Sequence, residues 1–303
     1  MKKLVYFALV PLLYGNEWEL KNIFLETEND ADFRTDRDYT YGSELGMLFK
    51  REKNSYISFS IAHQMYTPDN FDEENIDFTK ERPYAGYMYL NGGLHYVTNN
   101  HLDSFNMQIG IVGPAAQMDE VQKLIHKIIG SPEPKGWEEQ IGNEMIVQIN
   151  YERRWFQELQ NLHGNIVYFA GGNLGNASIK GVGGFFFRTG WNVEKDFAPS
   201  RMNYRGYNNI PLEDYSHVRP KQSFSFSLYG DASVIGRDIF LDGNTFKDSI
   251  SIDKEYFVAK GGFGLNYRYK DLTVNYMHTF STKEFKVQSY NHSYGSLIFS
   301  YDY

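Results

Sequence analysis

Cysteine is absent from the chain, which removes disulfides, thiolate metal ligands and a thiol nucleophile from consideration. Proline is scarce at 9 residues in 303. No stretch beyond the first residues approaches the ~20 apolar residues of a membrane-spanning helix. Positive charge is short as well. Thirty Lys and Arg against 38 Asp and Glu leave a net charge of −8, and the isoelectric point is near 5.5, so the basic footprint of a nucleic-acid binder is missing. Familiar catalytic signatures are missing too: no G-x-S-x-G, no H-E-x-x-H and no glycine loop that cradles phosphate. His292 and Ser293 are adjacent, but neighbours on a strand point to opposite faces and make a poor dyad.

What is abundant suits strands. Aromatic residues reach 17%, carried by 24 Tyr and 23 Phe, with 27 Gly and 22% charged residues. Aromatic side chains pack on pleated surfaces, and glycine permits bends and close approach. A mean hydropathy of −0.51 is compatible with a membrane barrel, whose lipid-facing and lumen-facing residues alternate and cancel in any average.

The chain opens with Met1-Lys2-Lys3, an apolar run from Leu4 to Leu13, then Tyr14 and Gly15. A positive start followed by a short apolar run reads as a signal peptide over 1–15, leaving 16–303 as one barrel domain. From residue 22 alternation dominates. Tyr39, Tyr41, Leu45, Met47 and Phe49 oppose Thr40, Gly42, Glu44 and Gly46, and Ile57, Phe59, Ile61 and Met65 oppose Ser58, Ser60, Ala62 and Gln64. Such period-2 patterns are strands with one greasy and one polar face. With segments at 22–29, 84–97, 104–113, 142–154, 163–172, 179–193, 222–240, 251–269, 272–285 and 291–303, the expectation is an all-β, twelve-stranded antiparallel transmembrane barrel. An even count puts both ends of the barrel chain on one side. Short turns near 51–54, 98–103 and 270–271 and longer loops near 30–38, 66–83 and 114–141 give the usual periplasmic and external asymmetry. The segment 194–221 is long yet falls on the periplasmic side in this count. The last strand places Leu297, Phe299, Tyr301 and Tyr303 on one face, and a soluble sandwich edge of that kind would invite aggregation.

One segment is helical. Met118, Val121, Leu124, Ile125, Ile128 and Ile129 form a stripe at helical spacing, and Gly130 and Pro132 end it. The helix is expected to lie in an external loop with this stripe against the barrel, as a lid or plug. His126 sits off the stripe, on a flank with Gln122 and Asp119, a position that by itself reads as a surface or capping residue and also suits a general base near neutral pH. The first external loop holds Glu28, Asn29, Asp30, Asp32, Asp36 and Asp38, an oxygen-rich set that without EF-hand spacing reads by itself as a solvated acidic loop and otherwise as a set of the kind that holds Ca²⁺.

At these residues the chain resembles the lipid A 3'-O-deacylase (LpxR) family of outer-membrane enzymes. The resemblance rests on Glu28-Asn29-Asp30, Asp36-Arg37-Asp38-Tyr39-Thr40-x-Gly42, Glu81-Arg82-Pro83-Tyr84-Ala85-Gly86, Val112-Gly113-Pro114, Val121-Gln122, His126-Lys127-Ile128-Ile129-Gly130, Gly136-Trp137-x-x-Gln140, Asp238 to Asn244 and Thr282 to Phe285. It implies a twelve-stranded barrel that removes the 3'-linked acyloxyacyl group of lipid A in the outer membrane with the help of Ca²⁺. By this resemblance His126 matches the catalytic histidine, Asn29 and Asp30 the paired active-site residues that would meet the metal, and Thr40 the hydroxyl residue. Lys80 is nearest to the family's lysine, and Glu133 stands in, displaced, for its acidic residue beyond the histidine as a further metal ligand. Arg37, Lys80 and Arg82 are expected on the rim as phosphate-binding groups. The implied partners are lipopolysaccharide and the membrane, with no obligate protein partner. The rival readings are an outer-membrane phospholipase on the same barrel and a non-catalytic pore or adhesin.

Overall fold

The computed structural model describes residues 18–30, 37–52, 54–72, 76–199, 202, 209–212 and 219–303. The expected signal peptide lies outside them, as do Asp32 and Asp36. The described residues form twelve strands: β1 (Glu19–Asn29), β2 (Asp38–Glu52), β3 (Ser55–Thr67), β4 (Ala85–Thr98), β5 (His101–Val112), β6 (Glu144–Leu159), β7 (Gly164–Gly175), β8 (Ser178–Trp191), β9 (Gln222–Asp238), β10 (Phe257–Tyr269), β11 (Leu272–Ser281) and β12 (His292–Asp302). Each pairs antiparallel with its sequence neighbours, and β1 pairs with β12 from Asn22↔Asp302 to Asn29↔Gly295, so the barrel closes. Closure follows from the solvent. Lipid offers no partner for backbone N–H and C=O groups, and an open sheet edge would leave a row of them unsatisfied.

The alternation expected from sequence becomes two surfaces. Leu25, Leu45, Ile61, Leu90, Ile109 and Ile149 are exposed on the outside, while Asn22, Glu44, Ser58, Asn91, Asn106 and Asn150 are buried inside. Exposed Tyr96, Trp155, Trp191, Tyr267, Tyr269 and Tyr301 lie near the end with short turns, the periplasmic aromatic girdle of such barrels. Inside, His95 of β4 ties β3 to β5 through Ser58 Oγ at 2.8 Å and Ser104 Oγ at 3.0 Å.

The strand count stands, and the long periplasmic connection between β8 and β9 is an elaboration that enters the barrel. Its Phe197, Ala198, Ile210 and Leu212 share a core with Leu48, Leu102, Phe156 and Met277 from strands around the wall. Arginines clamp it. Arg154 of β6 donates to the carbonyls of Phe197, Ala198 and Pro199, Arg188 of β8 pairs with Asp196 at 2.7 Å, and Arg268 of β10 pairs with Glu194 at 2.6 Å. Met202 of the same connection lies 3.2 Å from Tyr39 Oη in the outer half of the lumen. The periplasmic half of the lumen is therefore filled by this connection.

Several expected boundaries shift, among them the end of β6, at Leu159 rather than 154. β10 begins at Phe257 rather than 251, β11 ends at Ser281 rather than 285, and the expected last residues of β9 form a helical turn, α2 (Ile239–Asp242), capped by Asp238 accepting from Phe240 N; the longer helix Met118–Ile129 is α1. The displaced ends still meet across one bridge, Lys254↔Phe285.

Candidate active site

α1 has the expected limits, but it is rotated. It buries Met118, Gln122 and His126, whereas Leu124, Ile128 and Ile129 are 59%, 74% and 63% exposed. The expectation that the apolar stripe packs on the barrel is thus corrected: a mixed face carrying the histidine does so. The helix is not in the barrel mouth either. Gly86 of β4 shares the outward face of Met88 and Leu90, and a Cβ there would lie 2.9 Å from Met118 Cβ. α1 therefore lies on the outer wall, and glycine permits that approach. Met118 joins Met65, Tyr84, Ala116 and Trp137 in a buried cluster, with Tyr41, Phe71 and Val121 packed against it.

His126 is held from two sides. Gly130, at φ +76°, ends the helix in the left-handed region, and the N–H groups of Gly130 and Ser131 both reach the His126 carbonyl, at 2.8 and 3.0 Å. This glycine-terminated turn brings the Pro132 carbonyl 2.5 Å from His126 Nδ1. A carbonyl only accepts, so Nδ1 carries a proton, and the lone pair of the neutral tautomer falls on Nε2. Phe71 meets the imidazole edge-on, with centroids 5.5 Å apart. One turn earlier, Gln122 Oε1 accepts from Trp137 Nε1 at 2.7 Å, which fixes the rotation of the helix.

The hydroxyl residue owes its direction to a bulge. Tyr39 faces Tyr66 and Tyr41 faces Met65, so Thr40 is an extra residue on β2. Bulges re-aim side chains, and Thr40 Oγ1 lies 2.6 Å from Thr67 Oγ1. Beside it, Asp30 N donates to Thr40 O at 3.3 Å, and Asp30 Oδ2 accepts from Arg37 N at 2.8 Å. Asn29, Asp30 and Thr40 thus gather at the outer ends of β1 and β2, next to Tyr41, which packs on the cluster beneath α1.

Other expected residues are dispersed. Glu28 points into the lumen, where it accepts from Tyr39 Oη at 2.6 Å and Ser296 Oγ at 2.8 Å; strand alternation separates it from Asn29. Asp38 faces Arg82 at 3.7 Å and Gln288 at 3.1 Å. Arg82 is not a rim residue: it is 1% exposed and also pairs with Glu284 at 3.3 Å, so the expectation that it takes a phosphate is corrected. Arg37 pairs with Asp69 at 2.9 Å and lies 3.5 Å over the Tyr290 ring. Lys80 is exposed and pairs with Asp77 at 2.9 Å. Glu133 is exposed. Sequence reading missed Thr67, Phe71 and the Pro132 carbonyl. The first two lack any spacing signal, and the third is backbone whose place depends on Gly130.

Among the described residues no three His, Cys, Asp or Glu side chains converge to hold a metal. The residues that meet at the ends of these strands, Asn29, Asp30, Thr40 and Thr67, all carry side-chain oxygens, a set that fits in kind a hard cation such as Ca²⁺ rather than zinc.

A family model described as "Outer membrane protein LpxR" matches residues 4–303. Among solved structures, LpxR from Salmonella typhimurium is similar with a TM-score of 0.79 at 17% identity, covering 93% of this chain and 100% of that one. The NanC porin reaches a TM-score of only 0.42 at 7% identity over 93% and 98% of the two chains. No curated protein matches the chain. The chain belongs to the LpxR family of bacterial outer-membrane proteins.

Proposed function

We propose that this protein is a calcium-dependent esterase that hydrolyses the 3'-linked acyloxyacyl chain of lipid A in the outer leaflet and so modifies lipopolysaccharide. The observation that carries the reading is the fixed His126 tautomer, set within the family membership. With Nδ1–H given to Pro132, Nε2 is the basic atom. It takes a proton from water as the water oxygen attacks the ester carbonyl, and returns that proton to the sugar oxygen as the C–O bond breaks. General-base assistance of this kind contributes about 10²–10⁴-fold. Thr40 orients the water or a sugar hydroxyl. Asn29 and Asp30 would hold Ca²⁺, which when bound would supply charge stabilisation for the oxyanion.

Lys80 and Arg37 are the proposed phosphate contacts. The Lys80–Asp77 pair is exposed and screened by solvent, so exchanging the aspartate for a phosphate costs little. The filled periplasmic half of the lumen supports an enzyme over a pore.

The test is mass spectrometry of lipid A and a diacyl phospholipid, incubated together with the detergent-purified protein in Ca²⁺, in EDTA, and with His126→Ala. Loss of the acyloxyacyl mass only for the unaltered protein in Ca²⁺ is expected. An unchanged lipid A alongside released phospholipid acyl chains would replace this reading with a phospholipase, and turnover in EDTA would remove calcium from it.

A further inference from the structure

α1 presents three faces. Taking ~100° per residue, Met118, Gln122 and His126 centre on the barrel-facing direction, Ile128 lies roughly 120° to one side of it, and Leu124 lies further round on that side, nearly opposite the barrel, while exposed Ile129 ends the last turn. The charged residues Asp119, Glu120, Lys123 and Lys127 occupy the other side, with Lys123 bridging Asp119 at 3.7 Å and Glu120 at 3.3 Å. A helix on a soluble protein buries its apolar stripe against the core. This one buries a glutamine and a histidine and leaves three large aliphatic side chains outside, next to charged ones.

Position says what covers them. α1 is seated on Gly86, and along the same outward face of β4 follow Met88 and Leu90, 39% and 62% exposed, beside Ile109 of β5 at 48%. These strand residues belong to the lipid-facing belt of the barrel, so the apolar flank of α1 continues a surface already in contact with acyl chains. We propose that α1 is an interfacial helix whose Leu124–Ile128 flank, with Ile129 at its end, is immersed in the acyl layer of the outer leaflet. The charged flank then lies at the level of the headgroups. A helix with one apolar and one charged side in the membrane plane is stable for the same reasons as any amphipathic helix at an interface. His126, between the two flanks and turned to the wall, is held at the boundary of acyl chains and headgroups.

The absence of cysteine makes the test direct. Single-cysteine variants Leu124→Cys and Ile128→Cys on the apolar flank, Glu120→Cys and Lys127→Cys on the charged flank, and Leu90→Cys as a lipid-facing reference are spin-labelled. The full chain is reconstituted in dimyristoylphosphatidylcholine vesicles. Power saturation then compares collisions with oxygen, enriched in the acyl layer, and with a water-soluble nickel chelate, and heat-modifiable gel mobility verifies that each barrel is folded. Labels at 124 and 128 are expected to favour oxygen over the chelate like the label at 90, with the preference reversed at 120 and 127. Chelate-dominated collisions at 124 and 128 would place the flank in water and overturn the proposal. So would dipolar broadening that disappears on dilution with unlabelled protein, which would assign the flank to a second copy of the chain. The measurement reads depth, not turnover, so its outcome is separate from that of the proposed reaction.

Discussion

His126 Nδ1 and the Pro132 carbonyl stand 2.5 Å apart, and Gly130 between them makes the contact possible. Its φ of +76° is a conformation that L side chains resist, although a Cβ there meets no atom within 4 Å. Gly130→Ala therefore adds backbone strain alone, about 1–2 kcal/mol. The expected outcome is a ~5–30-fold smaller population of the competent turn, seen as a fall in initial rate of acyl release. Gly130→Asn, which tolerates the left-handed region better, is expected to lie between alanine and the natural residue.

The Thr40–Thr67 hydroxyl contact gives a second prediction. Thr40→Val keeps the branched shape at the bulge and removes the hydrogen bond at 2.6 Å. A neutral hydrogen bond is worth ~0.5–1.5 kcal/mol net, which converts to a rate loss of roughly two- to thirteenfold if the contact persists in the transition state. Thr40→Ser is expected to restore most of the rate. Equal rates for all three would show that the hydroxyl only shapes the strand.

Acid should loosen the outer end of the barrel. Burial alone would raise the Glu284 carboxyl, but Lys260 at 3.1 Å and Arg82 at 3.3 Å, with His292, pull it down to about 2. A depressed folded-state value means that the contribution is complete above the ordinary glutamate range of ~4.3 and is lost as pH falls through about 2. Thermal unfolding followed by heat-modifiable mobility is expected to drop across that window, and Glu284→Gln to flatten the drop. Arg82→Met, which strands a buried carboxylate, is expected to destabilise by about 3–5 kcal/mol at neutral pH.

Arg154 holds the lumenal connection by three consecutive carbonyls. In planar bilayers the unaltered protein is expected to be silent, and Arg154→Met to show flickering conductance as the connection loosens. Steady conductance from the unaltered protein would contradict a sealed lumen.

Much of this architecture was legible because the barrel repeats one rule. Leu45 and Ile61 outside and Glu44 and Ser60 inside follow from alternation, and short turns follow from the gaps between runs. α1 was legible as a helix for the same kind of reason, but its rotation was not. Periodicity reports which face is apolar, not what that face touches, and next to a membrane an apolar face is stable outside. Glu28 and Asn29 are neighbours in sequence that strand geometry sends to opposite sides of the wall, so an acidic run overstated the site. Arg82 was misplaced because a charged residue in a loop reads as exposed, whereas its partners Asp38 and Glu284 come from segments far away in the chain. The connection between β8 and β9 carries no periodic pattern, so only its unexpected length marked it.

The seat of α1 on the outer wall of β4 also fixes how a reactant can arrive. For the proposed lipid substrate, the His126 side of the helix would be approached sideways, along the plane of the leaflet, and not from the aqueous mouth above. Encounter is then two-dimensional. Its frequency follows the mole fraction of substrate among neighbouring lipids and not the amount per volume of solution, so swelling the surface with inert lipid or detergent slows the reaction as surely as withholding the substrate.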